Sequence, residues 1–272
     1  QLIDINSKVQ FSQTYSDFVD FHNYMTAIEV RKASRSSLFS LNSGKIDFIP
    51  YQYRPVLKFI KSDQPRILIA DSVGVGKTIE AELILKEYEA RKDIDSIAII
   101  CPKPLISEKK WENELKRFGE EFIPLNGSDL KYCLEETNSS GEWPRRFRKC
   151  IIPYSLFDEE LLTGKKKGAR IARQGLLTLD PAPHFDLLIV DESHHIKNTS
   201  TCVYKVVDFF SQHSDAAIFL TATPIELGSR DLFVLLNSLR PDVFVDFSTF
   251  QKMAEPNQFI NNAAGLIRRK ED

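Results

Sequence analysis

An α/β fold built on a doubly wound, mostly parallel sheet is what this sequence predicts, and three observations carry that prediction. After about residue 65 the chain repeats one order: a short apolar run, a turn, then an amphipathic stretch. The runs are apolar throughout rather than alternating, as strands buried on both faces must be. The first of them, in RILIADSVGVGKTIE (66–80), breaks into glycines and then into a lysine and a threonine, an order with little structural purpose of its own. In such a sheet, ligands are expected at the carboxyl ends of the strands.

The elements follow in order. Residues 1–48 are polar and aromatic with no glycine before Gly44, and are expected to form a small helical lead-in of unassigned role to a main domain over 49–272. ILIA (67–70) leads to a helix on which Ala81, Ile84, Leu85 and Tyr88 share a face. IAII (97–100) is followed by Cys101 and Pro102, then by Trp111, Leu115 and Phe118 on one helical face. FIPL (122–125), CIIPY (150–154), LLIV (187–190) and AIFL (217–220) complete the set of strands. Segments 126–148 and 158–184 read as insertions between strands. They concentrate positive charge in WPRRFRK (143–149) and GKKKGAR (164–170), both read first as solvated loops.

At 272 residues and 42% hydrophobic the chain is long enough for a sizeable core. A net charge of −2 excludes a globally basic nucleic-acid coat, so any such binding requires a local patch. Cys101, Cys133, Cys150 and Cys202 are widely spaced and form no CxxC pair, which argues against a zinc knuckle or disulfide framework and suits a reducing cytosol. No apolar run approaches the roughly 20 residues of a membrane helix, and the N-terminus lacks a basic-then-apolar signal. The expectation is a soluble, cytoplasmic protein with no membrane partner. Because the sequence begins at Gln1 instead of Met, it is also expected to be a piece of a longer chain.

The chemistry gathers at three strand ends. In ADSVGVGKT, Gly74 and Gly76 let the backbone approach a ligand, and the amides from Gly74 through Val75 to Thr78 converge at a helix N-terminus that favours an anion. Lys77 can reach outer phosphates, and the Thr78 hydroxyl can ligate Mg²⁺. The plain phosphate-loop pattern has glycine where Asp71 stands. FDLLIVDESHH sets Asp191 and Glu192 at the end of another buried strand, where carboxylates are costly unless a cation or a network receives them. Asp191 is expected to hold Mg²⁺ and Glu192 to orient the water that attacks a γ-phosphate. The two motifs are expected on successive strand ends of one sheet, making an ATP site with Lys77, Asp191 and Glu192 as catalytic residues. His194 and His195 are adjacent with no third ligand at a suitable spacing, so zinc is not expected. His194 is expected to hydrogen-bond between this site and the next strand, AAIFLTATP, whose Thr221 and Thr223 either couple to the same cleft or simply cap the strand.

With these residues on the page, the chain resembles the superfamily-two helicase-like ATPases. DSVGVGKT, DESHHIKN and LTATP look like that family's motifs I, II and III, and most like those of its SWI/SNF-type double-stranded DNA translocases. IPYQYRPV (49–56) is similar to an adenine-reading motif with Gln52 as reader. IICPKPLISEKKWENEL and IIPYSLF look like motifs Ia and Ib, and LIRRKED (266–272) like the segment that closes the first lobe. GKTIEAELIL, DESHH and LTATPIELGSRD look closest to the bacterial RapA-type branch. Ser72, Val75, Ser193 and Leu227 depart from the usual residues at positions bearing on fine specificity.

The resemblance implies the first RecA-like lobe of a two-lobed motor, with ATP and Mg²⁺ bound between lobes and double-stranded DNA lying across both. It also implies that Lys103, Ser107 and Tyr154 meet the DNA backbone, in binding that is sequence-independent and salt-sensitive. Nothing after Pro224 resembles the second lobe's arginine-bearing motif. An arginine finger is worth about 10³ to 10⁵ in rate, so this lobe alone is expected to bind ATP better than it turns it over. The alternatives are an RNA-directed helicase or remodeller, and a nucleotide-responsive scaffold without catalysis. No residue identifies a protein partner.

Overall fold

A computed structural model describes residues 23–27, 38–42, 49–71, 74–167, 170–222 and 228–254. All six apolar runs are strands within it. They are β1 (Arg66–Ile69), β2 (Ile97–Cys101), β3 (Ile123–Pro124), β4 (Lys149–Pro153), β7 (Phe185–Val190) and β8 (Ser214–Leu220), with a short hairpin β5 (Gly164–Lys167) and β6 (Arg170–Gln174) between the fourth and fifth. The six pair in the order β1-β8-β7-β2-β4-β3, every pairing parallel. Every residue of β2 is buried, which is why the run carries no polar alternation.

Parallel strands need long crossovers, and helices supply them. After α1 (Tyr53–Lys61), which precedes β1, they are α2 (Lys77–Arg91), α3 (Lys103–Ser107), α4 (Lys110–Arg117), α5 (Gly127–Ser140), α6 (Glu159–Thr163) and α7 (Cys202–Gln212), and α8 (Ser229–Leu239) follows β8. Alternate residues of the strands feed two cores, one on each side of the sheet. Ile97, Ile99, Leu187, Ile189 and Ile218 pack with α1, α2 and α4, whereas Ala98, Ile100, Leu188, Val190 and Phe219 pack with α5, α6, α7 and α8. This two-sided cover makes the sheet doubly wound. Ala81, Ile84, Leu85 and Tyr88 are buried as the helical spacing predicts, and so are Trp111, Leu115 and Phe118.

Two expectations need correction. Segment 126–148 is not an insertion: α5 is the crossover from β3 to β4, with Leu130, Cys133 and Leu134 buried. Its start is fixed by a capping box, in which the Asn126 side chain accepts from Ser128 N and Asp129 N while Asp129 Oδ2 accepts from Asn126 N. Nor is WPRRFRK a solvated loop. Arg145 and Arg146 face outward, but Trp143 and Phe147 are buried and Trp143 Nε1 donates to Phe147 O at 2.9 Å. Lys149 lies half-buried between Glu120 at 2.6 Å and Glu89 at 2.7 Å. The basic residues therefore alternate with anchors, and the spacing conceals it. GKKKGAR runs through the antiparallel β5–β6 hairpin, and the side chains of 165–173 lie outside the described residues, as does most of 1–48. Two described parts of the lead-in touch the lobe: Ser40 N donates to Glu87 Oε2 on α2 at 2.9 Å, and Arg54 Nε on α1 donates to Thr26 Oγ1 at 2.8 Å.

Candidate nucleotide site

Because all six strands are parallel, their carboxyl ends share one edge of the sheet. Ile69 of β1 pairs with Leu220 of β8, and Val190 of β7 pairs with Phe219. Asp71, Thr221 and Asp191 thus leave the sheet within about one residue of the same level. The phosphate-loop strand and the acidic strand are not successive, however, which corrects the sequence expectation. β8 stands between them, and among the described residues β1 is the terminal strand of the sheet. Two inter-strand spacings put β1 and β7 about 10 Å apart, a gap whose floor is the end of β8 at the fully buried Thr221. Thr221 N donates to Ile69 O at 3.0 Å, fastening that floor to the loop strand.

The loop has the backbone its glycines permit. Gly74 and Gly76 sit at φ +86° and +95°, in the left-handed region. A Cβ on Gly74 would meet nothing within 4 Å, whereas one on Gly76 would come within 2.5 Å of Gln52 Nε2. The open side at Gly74 is the side a ligand can approach. Behind the loop, Tyr51 Oη and Gln52 Nε2 both donate to Val75 O, at 2.5 and 3.2 Å. Gln52 is 3% exposed and so braces the loop as well as bordering it. Lys77 and Thr78 open α2, where the dipole and unpaired amides favour an anion. Lys77 Nζ donates to Asp71 O at 2.9 Å across the mouth of the loop. Beneath it, Glu80 is fully buried, and burial, reinforced by Asp71 and opposed by Lys77, pushes its carboxyl up to about 8.

Asp191 is held on every side. Its Oδ2 accepts from Trp111 Nε1 at 2.9 Å and its Oδ1 from Glu192 N at 2.8 Å. Its carbonyl accepts from Tyr154 Oη at 2.7 Å, and its amide donates to Ile100 O at 2.8 Å. Burial holds its carboxyl above the usual range, and the Trp111 bond pulls the other way. Glu192 follows at φ 50°, ψ 49°, a left-handed conformation uncommon for a non-glycine residue and found mostly where function requires it. The turn carries its carboxylate off the strand line. Glu192 Oε2 is buried and accepts no hydrogen bond; His194 Nδ1 lies 3.3 Å away, within ion-pair range but without hydrogen-bond geometry. His194 therefore faces Glu192, where the sequence placed it between the site and β8. It stacks on His195 at 4.6 Å, and His195 in turn lies 5.2 Å from the Tyr154 ring.

Oxygen donors of the kind Thr78 and Asp191 carry, with Glu192 Oε2 accepting no hydrogen bond, suit a hard cation carried in on phosphates. Among the described residues no group of three or more His, Cys, Asp or Glu gathers to hold a metal unaided. The donor set thus fits Mg²⁺ bound jointly with a nucleotide. Three sequence expectations stand differently. Lys103 and Ser107 are exposed on α3, just past β2 on this edge. Tyr154 is 7% exposed and its hydroxyl is used on Asp191, so burial removes it from any nucleic-acid face. Thr223, Leu227 and LIRRKED lie outside the described residues, as does Ser72. Sequence reasoning missed Trp111 and Tyr51 as supports of the site. The available signal was that a buried indole N–H or phenol needs a partner, and both lie inside stretches already singled out, Tyr51 in IPYQYRPV and Trp111 in IICPKPLISEKKWENEL.

The chain matches the model of the SNF2-related domain over residues 51–269. It is similar to the RNA polymerase-associated protein RapA of Pasteurella multocida (strain Pm70), 29% identical over 239 residues, covering 84% of this chain and 23% of that protein. The protein of the same name from Actinobacillus pleuropneumoniae serotype 5b (strain L20) is 31% identical over 228 residues, covering 79% and 22%. The chain therefore spans less than a quarter of the length of these relatives. Among solved structures, the Sulfolobus solfataricus SWI2/SNF2 ATPase core in complex with dsDNA matches with a TM-score of 0.54 at 22% identity, over 77% of this chain and 39% of that one. That match is to the fold.

Proposed function

The chain belongs to the SNF2-related domain family of helicase-like ATPases, and we propose that it is the ATP-binding lobe of a motor that couples ATP hydrolysis to movement along double-stranded DNA. The observation that carries the proposal is the pairing, across one strand, of a phosphate loop with a fixed Asp191 and a Glu192 whose Oε2 accepts no hydrogen bond. In this reading the amides from Gly74 to Thr78 and the Lys77 ammonium grip the β- and γ-phosphates. Gln52 and Tyr51, bonded to Val75 O, lie on the adenine side and pass base occupancy to the loop. The Thr78 hydroxyl and Asp191 hold Mg²⁺, which when bound neutralises charge on the outer phosphates. Glu192 orients the attacking water and takes its proton; no other hydrogen-bond partner competes for Oε2. Lys103 and Ser107 face the DNA backbone, and the arginines that complete the charge stabilisation come from a second lobe.

The test is ATP turnover by the full-length protein with duplex DNA, with single-stranded RNA and with neither. Stimulation by duplex DNA, lost with Lys77→Ala while the melting temperature holds, is the expected result. A rate indifferent to nucleic acid overturns the translocase reading, and stimulation by RNA alone reassigns the substrate.

A further inference from the structure

Trp111 lies in the first turn of α4 and is one of two tryptophans in the chain. Its ring is 1% exposed and packs in the core beneath α2. Packing alone would be served by phenylalanine. What phenylalanine lacks is the indole N–H, a donor with no acceptor capacity, and here that donor meets a single carboxylate oxygen in a bond buried at both ends. Trp143 offers a comparison within the same molecule, because its equally buried N–H meets a main-chain carbonyl far from the loop.

We propose that Trp111 is a positioning residue of the nucleotide site, fixing the rotation of the Asp191 carboxylate so that a defined lone pair faces the Mg²⁺ bound with ATP. The inference rests on the reading of the site given above. Each Asp191 oxygen already accepts one hydrogen bond, from Trp111 or from Glu192 N, and each keeps one lone pair for a cation. With both bonds in place the carboxylate plane has one orientation; without the indole bond it is free to turn about its terminal torsion, which is broad. The outer partners of metal-binding carboxylates typically contribute 10- to 100-fold in metal affinity. The element that carries Trp111, α4, begins after Lys109 and buries Leu115 one turn beyond the tryptophan. α4 follows directly on α3, so the exposed Lys103 and Ser107 stand on the same short stretch that holds the Mg²⁺ ligand in line.

Two measurements on the full 272-residue chain test this without DNA. The first is nucleotide affinity, with Mg²⁺ and with EDTA, for wild type and Trp111→Phe. The variant is expected to keep its affinity in EDTA within about twofold and to lose about tenfold or more of the tightening that Mg²⁺ gives. Parallel weakening in both buffers, or no change in either, overturns the proposal, since a packing role alone gives one of those. The second uses wild type only: the Trp111 indole N–H resonance should shift on adding Mg²⁺ with a non-hydrolysable ATP analogue, while the Trp143 resonance stays. A Trp111 signal that ignores Mg²⁺ overturns the proposal even where the variant fails to fold. A chain that binds no nucleotide overturns both this inference and the site. ATPase indifference to DNA, by contrast, overturns the translocase reading alone.

Discussion

Glu82→Gln should abolish a loss of stability that the wild-type protein suffers as pH rises. Glu82 lies on α2 and is 1% exposed, and neither carboxylate oxygen has a hydrogen-bond partner. Burial pushes its carboxyl from 4.5 up to about 9, with Glu114 acting in the same direction and Arg117 against it. The native protein therefore carries a neutral acid at this position at pH 7, whereas the unfolded chain carries an ion. A group bound more tightly to its proton in the folded state gives its full stability below the unfolded value and loses it as pH rises through the folded one. The window here runs from 4.5 to about 9. Within it one group changes stability by about 1.4 kcal/mol per pH unit, so the loss between about pH 6 and pH 8 is about 3 kcal/mol. Glutamine has the shape of the neutral acid and does not titrate. Urea denaturation of both chains at several pH values in that range should show the stability difference, variant minus wild type, growing by about 1.4 kcal/mol per unit. Parallel pH profiles would refute the reasoning, and so would a wild type that gains on the variant as pH rises.

Two further substitutions probe the site itself. Glu192→Gln should reduce ATP hydrolysis by the full-length protein by about 10² to 10⁴, the usual contribution of a general base, with nucleotide affinity retained; an unchanged turnover number would remove Glu192 from the chemistry. Gly76→Ala should lower the melting temperature and weaken nucleotide binding together, because φ +95° and a Cβ 2.5 Å from Gln52 Nε2 both oppose it. Strain in that region costs on the order of 1–3 kcal/mol, and a variant with wild-type stability and affinity would contradict the described loop.

The strands were legible because burial on both faces writes itself as an unbroken apolar run, as in Ile97–Cys101. Their order in space was not, because neighbours in a parallel sheet are joined by crossovers of any reach; the run that ends at Leu220 slots between β1 and β7. The phosphate loop and the acidic pair were legible from residue type and spacing. Their supports were hidden, since a tryptophan at helical spacing reads the same whether its N–H meets a carboxylate or not. α2 carries a further feature that the sequence analysis did not address: Glu80, Glu82 and Glu87 are all buried. Of the three, Glu87 is ion-paired, with Arg91.

The position of β1 at the margin of the sheet bears on how the protein is made. Among the described residues β1 pairs with β8 alone, through Arg66–Ala217 to Ile69–Leu220. A ribosome polymerises the first partner roughly 150 residues ahead of the second, a delay of roughly ten to thirty seconds at ordinary elongation speeds. Through that interval the glycine loop hangs from an unmated segment. The newborn polypeptide acquires its grip on ATP only when β8 has cleared the exit tunnel.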